Sequence, residues 1–297
     1  MKNFILIGAG GYIAPRHMKA IKDTGNNLLA ALDKHDSVGI LDTYFPGADF
    51  FTEFERFDRH IDKLKRQGIQ IDYLSVCSPN YLHDAHIRFG LRTGADVICE
   101  KPVVLNPWNV DGLVEMERET GRKVNGILQL RLHPAIAALK EKVDNTPGQQ
   151  YTIGLDYITA RGNWYHHSWK GDEQKSGGIA TNIGVHFFDV LQWIFGAVQS
   201  FTVQKKDAGT VSGTLKLEKA DVHWLLSIDA TLLPAESQVA GKRSFRRLTV
   251  NEEIIDLGAG FDDLHTRAYE NILEGKGIGL KEMQPLVQLV HDLRTGV

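Results

Sequence analysis

Four apolar residues, Phe4 to Ile7, run straight into Gly8-Ala9-Gly10-Gly11, and an amphipathic stretch of helical period, Tyr12 to Lys22, begins at the next residue. A strand, a turn of small residues and a helix in so short a span constrain the fold more than any other feature of the chain. Such a turn brings backbone N–H groups to the positive end of the helix, where a pyrophosphate is stabilised. The spelling departs from G-x-G-x-x-G: the third glycine would fall at Ile13, so Ala14 has to supply the close helix–strand packing. Asp33 ends the second apolar run, 25 residues after Gly8, close to the ~20 expected for a carboxylate that holds the adenosine ribose hydroxyls. A 2′-phosphate there would meet like charge, which favours NAD over NADP, with neighbouring Lys34 partly offsetting the effect. The structural alternative is a plain α/β turn followed by a solvated Asp.

The alternation continues. Leu28 to Leu32, Tyr73 to Cys77 and Val97 to Cys99 read as strands buried on both faces, separated by amphipathic segments Phe54 to Arg66, Leu82 to Arg92 and Val110 to Glu119. A β-α-β-α order implies an α/β, doubly wound parallel sheet. Asn106 and Pro107 mark the start of the last of these helices. After about Gly126 the pattern changes to longer alternating stretches, Tyr151 to Thr159, Phe201 to Lys205, Thr214 to Leu217, Val222 to Asp229 and Arg247 to Val250, which read as antiparallel strands. Helices are expected over Gly178 to Phe195, Asp262 to Glu274 and Lys281 to Arg294. The chain therefore divides into residues 1–126 and an α+β domain over 127–297.

Composition narrows the function classes. The formal charge is −3, from 34 basic and 37 acidic side chains, and no basic footprint marks a nucleic-acid surface. The longest uncharged stretch, Val190 to Gln204, falls short of the ~18 apolar residues of a membrane span, and glycines end the opening apolar run too early for a signal peptide. Two cysteines and no N-x-[ST] sequon point to a reducing cytoplasm. Cys77 and Cys99 lie inside buried strands with no metal-ligand spacing, so they read as core and no metal site is expected. Small molecules are the expected partners.

Chemistry gathers in four places. Ser78-Pro79-Asn80 follows one buried strand and Glu100-Lys101-Pro102 the next, so both occupy the sheet edge where doubly wound folds bind ligands. Pro102 holds Lys101 extended and aims its ammonium into the crevice. In the second half, Asn182, His186 and Asp189, spaced four and three apart, share one helix face while Ile179, Ile183 and Phe187 fill another. Histidine exchanges a proton near neutral pH, as alcohol oxidation by a nicotinamide requires. Upstream, Arg161-Gly162-Asn163-Trp164-Tyr165 and Ser168-Trp169-Lys170 combine cations, amides and aromatic faces that suit sugars and carboxylates. His166 and His167 are adjacent, point apart and take no role.

Taken together, Glu100-Lys101-Pro102, the glycine turn and the Gly178 to Asp189 segment resemble the glucose-fructose oxidoreductase / inositol dehydrogenase / MocA family over the whole chain. The resemblance implies a Rossmann domain, a second domain with an open, mostly antiparallel sheet, bound NAD, oxidation of a sugar or cyclitol carbon, and a tetramer built through the second-domain sheets. Gly177, Gly178, Gly184, His186 and Asp189 fit the family pattern G-G-x-x-x-D-x-G-x-H-x-x-D, but Asn182 stands at its acidic position. Without that carboxylate an imidazolium loses a partner, which weakens His186 as sole base. The segments Thr181 to His186, Gly11 to His17, Ser78 to His83 and Arg161 to Tyr165 are similar to one branch, the dehydrogenases of UDP-N-acetylglucosaminuronic acid in surface-polysaccharide (lipopolysaccharide O-antigen) synthesis. That branch implies oxidation of the 3-hydroxyl to a 3-keto sugar nucleotide, with NADH reoxidised by 2-oxoglutarate.

On this basis NAD is expected on Gly8, Gly10, Tyr12, Ile13 and Asp33, with Ser78, Asn80, Glu100 and Lys101 near the nicotinamide, and the resemblance adds His83, Gln129, Trp164 and Tyr165. Lys101, His186 and Asn182 are the catalytic candidates, either Lys101 or His186 being the base. Substrate contacts are expected from Lys101, Arg161, Asn163, Tyr165, Asn182 and His186. Another sugar or cyclitol dehydrogenase, and a nicotinamide-sensing protein without turnover, remain the alternatives.

Overall fold

The computed structural model describes residues 1–258 and 260–296. The chain divides into two compact units, Met1–Gln129 with Asp263–Gln284, and Leu130–Asp262 with the segment from Pro285 onward.

In the first unit, β1 (Asn3–Ile7), β2 (Asn27–Leu32), β3 (Asp49–Phe51), β4 (Tyr73–Val76), β5 (Asp96–Cys99) and β6 (Val124–Gly126) form a parallel sheet in the order β6-β5-β4-β1-β2-β3. The order reverses between β1 and β4, so the loops leaving these strands flank the crevice where such sheets bind ligands. Phe4, Ile5, Leu6, Leu74, Val76, Val97, Ile98 and Cys99 are fully buried, as the unbroken apolar runs require of strands covered on both faces. Helix His83–Thr93 lies close on the sheet through Gly90, where a Cβ would come within 2.8 Å of Val97 and Leu74 side-chain atoms. Short strands β3 and β6 carry too few residues to show a period, and no reading of the sequence singled them out.

The expected single cut near Gly126 is replaced by a discontinuous unit. Helix Leu264–Leu273 packs on helix Ala14–Asp23 through the side that bears buried Leu264, Ala268, Tyr269 and Ile272, and strand Ile278–Gly279 pairs antiparallel with the β6 edge. Local periodicity shows that a helix forms over this stretch but not which sheet it covers.

The second unit holds β7 (Tyr151–Thr159), β8 (Val198–Lys206), β9 (Thr210–Leu217), β10 (Ala220–Ser227), β11 (Ser244–Val250) and β12 (Glu253–Ile255), in the order β12-β11-β7-β10-β9-β8. Every pairing is antiparallel except β10 with β7. One face is apolar, with Tyr151, Ile153, Leu155, Val222, Trp224 and Leu226 buried, and helix Val185–Phe195 packs Phe188 edge-on to Trp224 and Phe195 beside Tyr151. Thr152, Asp221, His223 and Lys216 point the other way and are exposed. Helix Pro134–Asp144, not anticipated from the sequence, begins in the same unit. Where one continuous helix was expected over Gly178 to Phe195, residues Ala180–Gly184 form a π turn ahead of the α-helix.

Candidate active site

The turn after β1 meets the geometry a dinucleotide needs. Gly8 has φ +95°, and a Cβ there would lie 2.5 Å from the Cys77 carbonyl carbon and 2.6 Å from the Ser78 nitrogen, so only glycine lets this turn press against the loop leaving β4. Helix Ala14–Asp23 follows, with Ile13 as its N-cap residue and Ala14 fully buried in the place left by the missing third glycine. Tyr12 is 85% exposed beside this turn. Asp33 stands just past β2. Its Oδ2 accepts the Gly10 N–H at 2.9 Å and its Oδ1 the His35 N–H at 2.9 Å, so the carboxylate is fixed at the edge of the glycine turn.

The loops leaving β4 and β5 are held from within. His83, fully buried, places Nε2 2.8 Å from the Ser78 carbonyl and Nδ1 2.7 Å from the Pro102 carbonyl, which ties the two loops together. Ser78 Oγ meets His86 Nδ1 at 2.8 Å, and burial followed by His83 lowers the pKa of His86 to about 4. Asn80 is buried at the start of a single 3-10 turn. Lys101 is half-buried, and the Lys101–Pro102 peptide is cis. Gln129 is half-buried, with a buried Oε1 that no group among the described residues satisfies. That orphaned acceptor, together with the glycine turn, fits a polar ligand at this edge.

Two of the expected cofactor contacts have protein partners for their side chains. Both ring nitrogens of His83 are occupied by backbone carbonyls, and the Glu100 carboxylate points inward, 6% exposed, to His17 and His265. Both residues hold the loops through these contacts. His17, Glu100 and His265 each offer a ligand atom within 4.8 Å of the others, but a metal ion would have to displace the protons that the histidines donate to the carboxylate.

In the second unit, Asn182 lies in the π turn and donates its amide to the Tyr165 hydroxyl at 2.9 Å. Tyr165 is 2% exposed, and burial raises its pKa. His186 is half-buried one turn after Asn182. Asp189 leaves the expected polar stripe: its carboxylate takes Arg131 Nε at 2.9 Å and Nη2 at 2.6 Å in a buried two-pronged pair, so it anchors the helix. Trp164, 51% exposed, opens the helical turn Trp164–His167, with Arg161 and Asn163 exposed just before it. Lys170 sits 5.6 Å over the Trp164 ring and 5.7 Å over Trp169, and its pKa is lowered by burial and then by Arg161. Among the described residues no carboxylate pairs with Arg161 or Lys170, which leaves two cations beside the indole pair with charge available for an anion.

Residues 2–126 match an oxidoreductase family's NAD-binding Rossmann fold, and residues 140–226 match the C-terminal alpha/beta domain of the same family. The WlbA (WbpB) dehydrogenase of Thermus thermophilus, solved with NAD and alpha-ketoglutarate, is 46% identical over 99% of this chain and 95% of that one, at a TM-score of 0.96. The chain belongs to the glucose-fructose oxidoreductase / inositol dehydrogenase / MocA family. The same Thermus enzyme, solved with NAD and UDP-GlcNAcA, superposes at a TM-score of 0.95 with the same coverage. D-glucoside 3-dehydrogenase of Escherichia coli is 30% identical over 137 residues, 43% of this chain and 37% of that protein. Across the first three curated relatives the match spans only 30% to 37% of their length.

Membership in the glucose-fructose oxidoreductase / inositol dehydrogenase / MocA family makes residues 2–126 an NAD-binding domain and the chain an oxidoreductase. No helix among the described residues is long and apolar enough to cross a membrane. Sequence reasoning missed Ser75, Tyr269 and His265, which join His17 and Glu100. Ser75 sits inside a buried strand and the other two on a helix some 165 residues beyond Glu100, so no local spacing connects them.

Proposed function

We propose that this oxidoreductase oxidises the 3-hydroxyl of UDP-N-acetylglucosaminuronic acid to a 3-keto sugar nucleotide, the hydrogen on C3 leaving as hydride and the hydroxyl hydrogen as a proton. NAD supplies the hydride acceptor, and 2-oxoglutarate reoxidises the NADH by being reduced at its keto group. The observation that carries this reading is the 46% identity, over 99% of the chain, to an enzyme solved with NAD, UDP-GlcNAcA and alpha-ketoglutarate. The chain's own residues support it independently: the glycine turn with its fixed Asp33, the loop bearing Lys101, and the Arg161, Lys170 and indole cluster, which suits a carboxylate on a ring.

In this reading Lys101 hydrogen-bonds the reacting hydroxyl and stabilises negative charge developing on its oxygen, His186 takes the proton, and Asn182, braced by Tyr165, orients the sugar. Ser78 and Asn80 line the cofactor edge beside Lys101. Arg161 and Lys170 hold the uronate or the keto acid. The product feeds surface-polysaccharide synthesis in the cytoplasm, and the polar face of the second-unit sheet joins copies into a tetramer, for which light scattering at one monomer mass would be decisive against.

The test is absorbance at 340 nm on the purified protein as UDP-N-acetylglucosaminuronic acid and then 2-oxoglutarate are added. A rise on the sugar nucleotide that collapses on the keto acid is the expected result. No change, with NAD supplied, removes the substrate assignment and leaves another sugar or cyclitol as the substrate.

A further inference from the structure

Glu100 directly follows the buried strand β5 and immediately precedes Lys101. Its Oε1 lies 2.9 Å from His17 Nε2 and 3.2 Å from His265 Nε2, while its Oε2 accepts the Lys101 backbone N–H at 3.2 Å. Behind His17 the chain continues: Nδ1 is 2.7 Å from the Tyr269 hydroxyl, which is 2.7 Å from Ser75 Oγ. His17, Ser75 and Tyr269 are fully buried, and His265 is 5% exposed.

One placement of protons satisfies all of these groups. The hydrogen bonds from His17 and His265 hold the Glu100 carboxyl well below the usual carboxylate range against the opposing effect of burial, so it is an acceptor only. Both Nε2 atoms must then donate to it. Burial lowers the pKa of His17 and keeps the ring neutral, so its Nδ1 is bare and accepts from Tyr269, whose oxygen in turn accepts from Ser75. On the far side of Lys101, the Pro102 carbonyl rests on His83 Nδ1 at 2.7 Å. The peptide before Lys101 and the one after Pro102 are thus each held by a buried side chain.

We propose that Glu100 is a positioning residue, and that the chain Ser75–Tyr269–His17–Glu100, joined by His265, holds the Lys101 backbone in place for the reaction. The proposal rests on the reading of Lys101 as the residue that meets the reacting hydroxyl. It gives the returning segment 263–284 a task, because His265 and Tyr269 arrive on it to complete the cofactor edge of the first unit. A buried network with every donor matched is rigid, and a misplaced catalytic group costs rate more than binding.

The experiment uses the full chain with NAD. In Glu100→Gln the side chain keeps its shape but has one oxygen, and if that oxygen faces the two histidines its amide nitrogen confronts the Lys101 N–H, a donor against a donor. Turnover is expected to fall by about ten- to a hundredfold, with the Michaelis constant for the sugar nucleotide within about twofold and bound NAD retained. Hydrogen–deuterium exchange over residues 100–104 is expected to quicken by about tenfold or more. A folded Glu100→Gln with wild-type turnover and unchanged exchange overturns the proposal. Should that variant not fold, Tyr269→Phe removes only the distal hydroxyl; a loss of turnover at constant Michaelis constant supports the proposal, and wild-type turnover overturns it. If the wild-type protein does not oxidise the UDP-uronate at all, the functional reading has failed, and the exchange rates alone decide the positioning.

Discussion

The Asn182 amide donates a 2.9 Å hydrogen bond to the Tyr165 hydroxyl, which joins the π turn ahead of helix Val185–Phe195 to the aromatic loop that carries Arg161 and Lys170. Because Tyr165 is buried, losing either partner strands a polar atom. A double-mutant cycle over Tyr165→Phe and Asn182→Ala should give a coupling of about 1 kcal/mol in stability, read by chemical denaturation. Additive single effects would show that the bond contributes nothing.

Asn182→Asp places a carboxylate one helical turn before His186. An anion there favours the imidazolium, so the limb of the turnover profile that reports His186 should move to higher pH. An unmoved profile would mean that His186 does not titrate in the reaction.

Lys101→Ala and His186→Ala should each lower turnover by about 100-fold or more while NAD stays bound, as acid–base groups do. The comparison of the two pH profiles identifies the base, since the variant lacking it loses the corresponding limb. Wild-type turnover in both would remove the assignment.

Asp33→Ala should relax the preference for NAD over NADP, measured as the ratio of kcat/KM values. It also releases the Gly10 and His35 N–H groups, so a stability loss of about 1 kcal/mol is expected alongside. An unchanged cofactor ratio would mean that Asp33 serves the turn alone.

Arg161→Ala and Lys170→Ala should each raise the Michaelis constant for the UDP-uronate or for 2-oxoglutarate by about tenfold, with turnover at saturation little changed, because a charged hydrogen bond to a carboxylate is made in ground and transition states alike. Normal constants for both substrates in both variants would show that the carboxylates bind elsewhere.

Stability should fall on acidification below neutrality. The folded pKa of His86, at about 4, lies below the ordinary value of 6.5, so unfolding takes up a proton between those values and stability is lost as pH falls through that window. The contribution is on the order of 3 kcal/mol at pH 4 relative to pH 7, and His17, also lowered by burial, adds in the same direction. Glu100, held low, adds its own loss only below the carboxylate range. Denaturation midpoints from pH 7 to 4 test this, with a shallower decline expected in His86→Gln.

What could be read along the chain was what neighbouring residues decide among themselves. The apolar run Phe4 to Ile7, the glycines after it and Asp33 after the second strand define a strand, a turn and a carboxylate within one β-α-β unit, and their order defines a doubly wound sheet. Asn182 and His186 are one helical turn apart wherever that helix packs. Tertiary structure alone decided the rest, because a buried polar side chain is satisfied by whichever partner the packing delivers. Asp189 turned from the expected site to Arg131, 58 residues away, and Glu100 found His17 and His265, 83 and 165 residues away. Sequence spacing carries no signal for such pairs, since the energy that selects them exists only once water has been excluded around them.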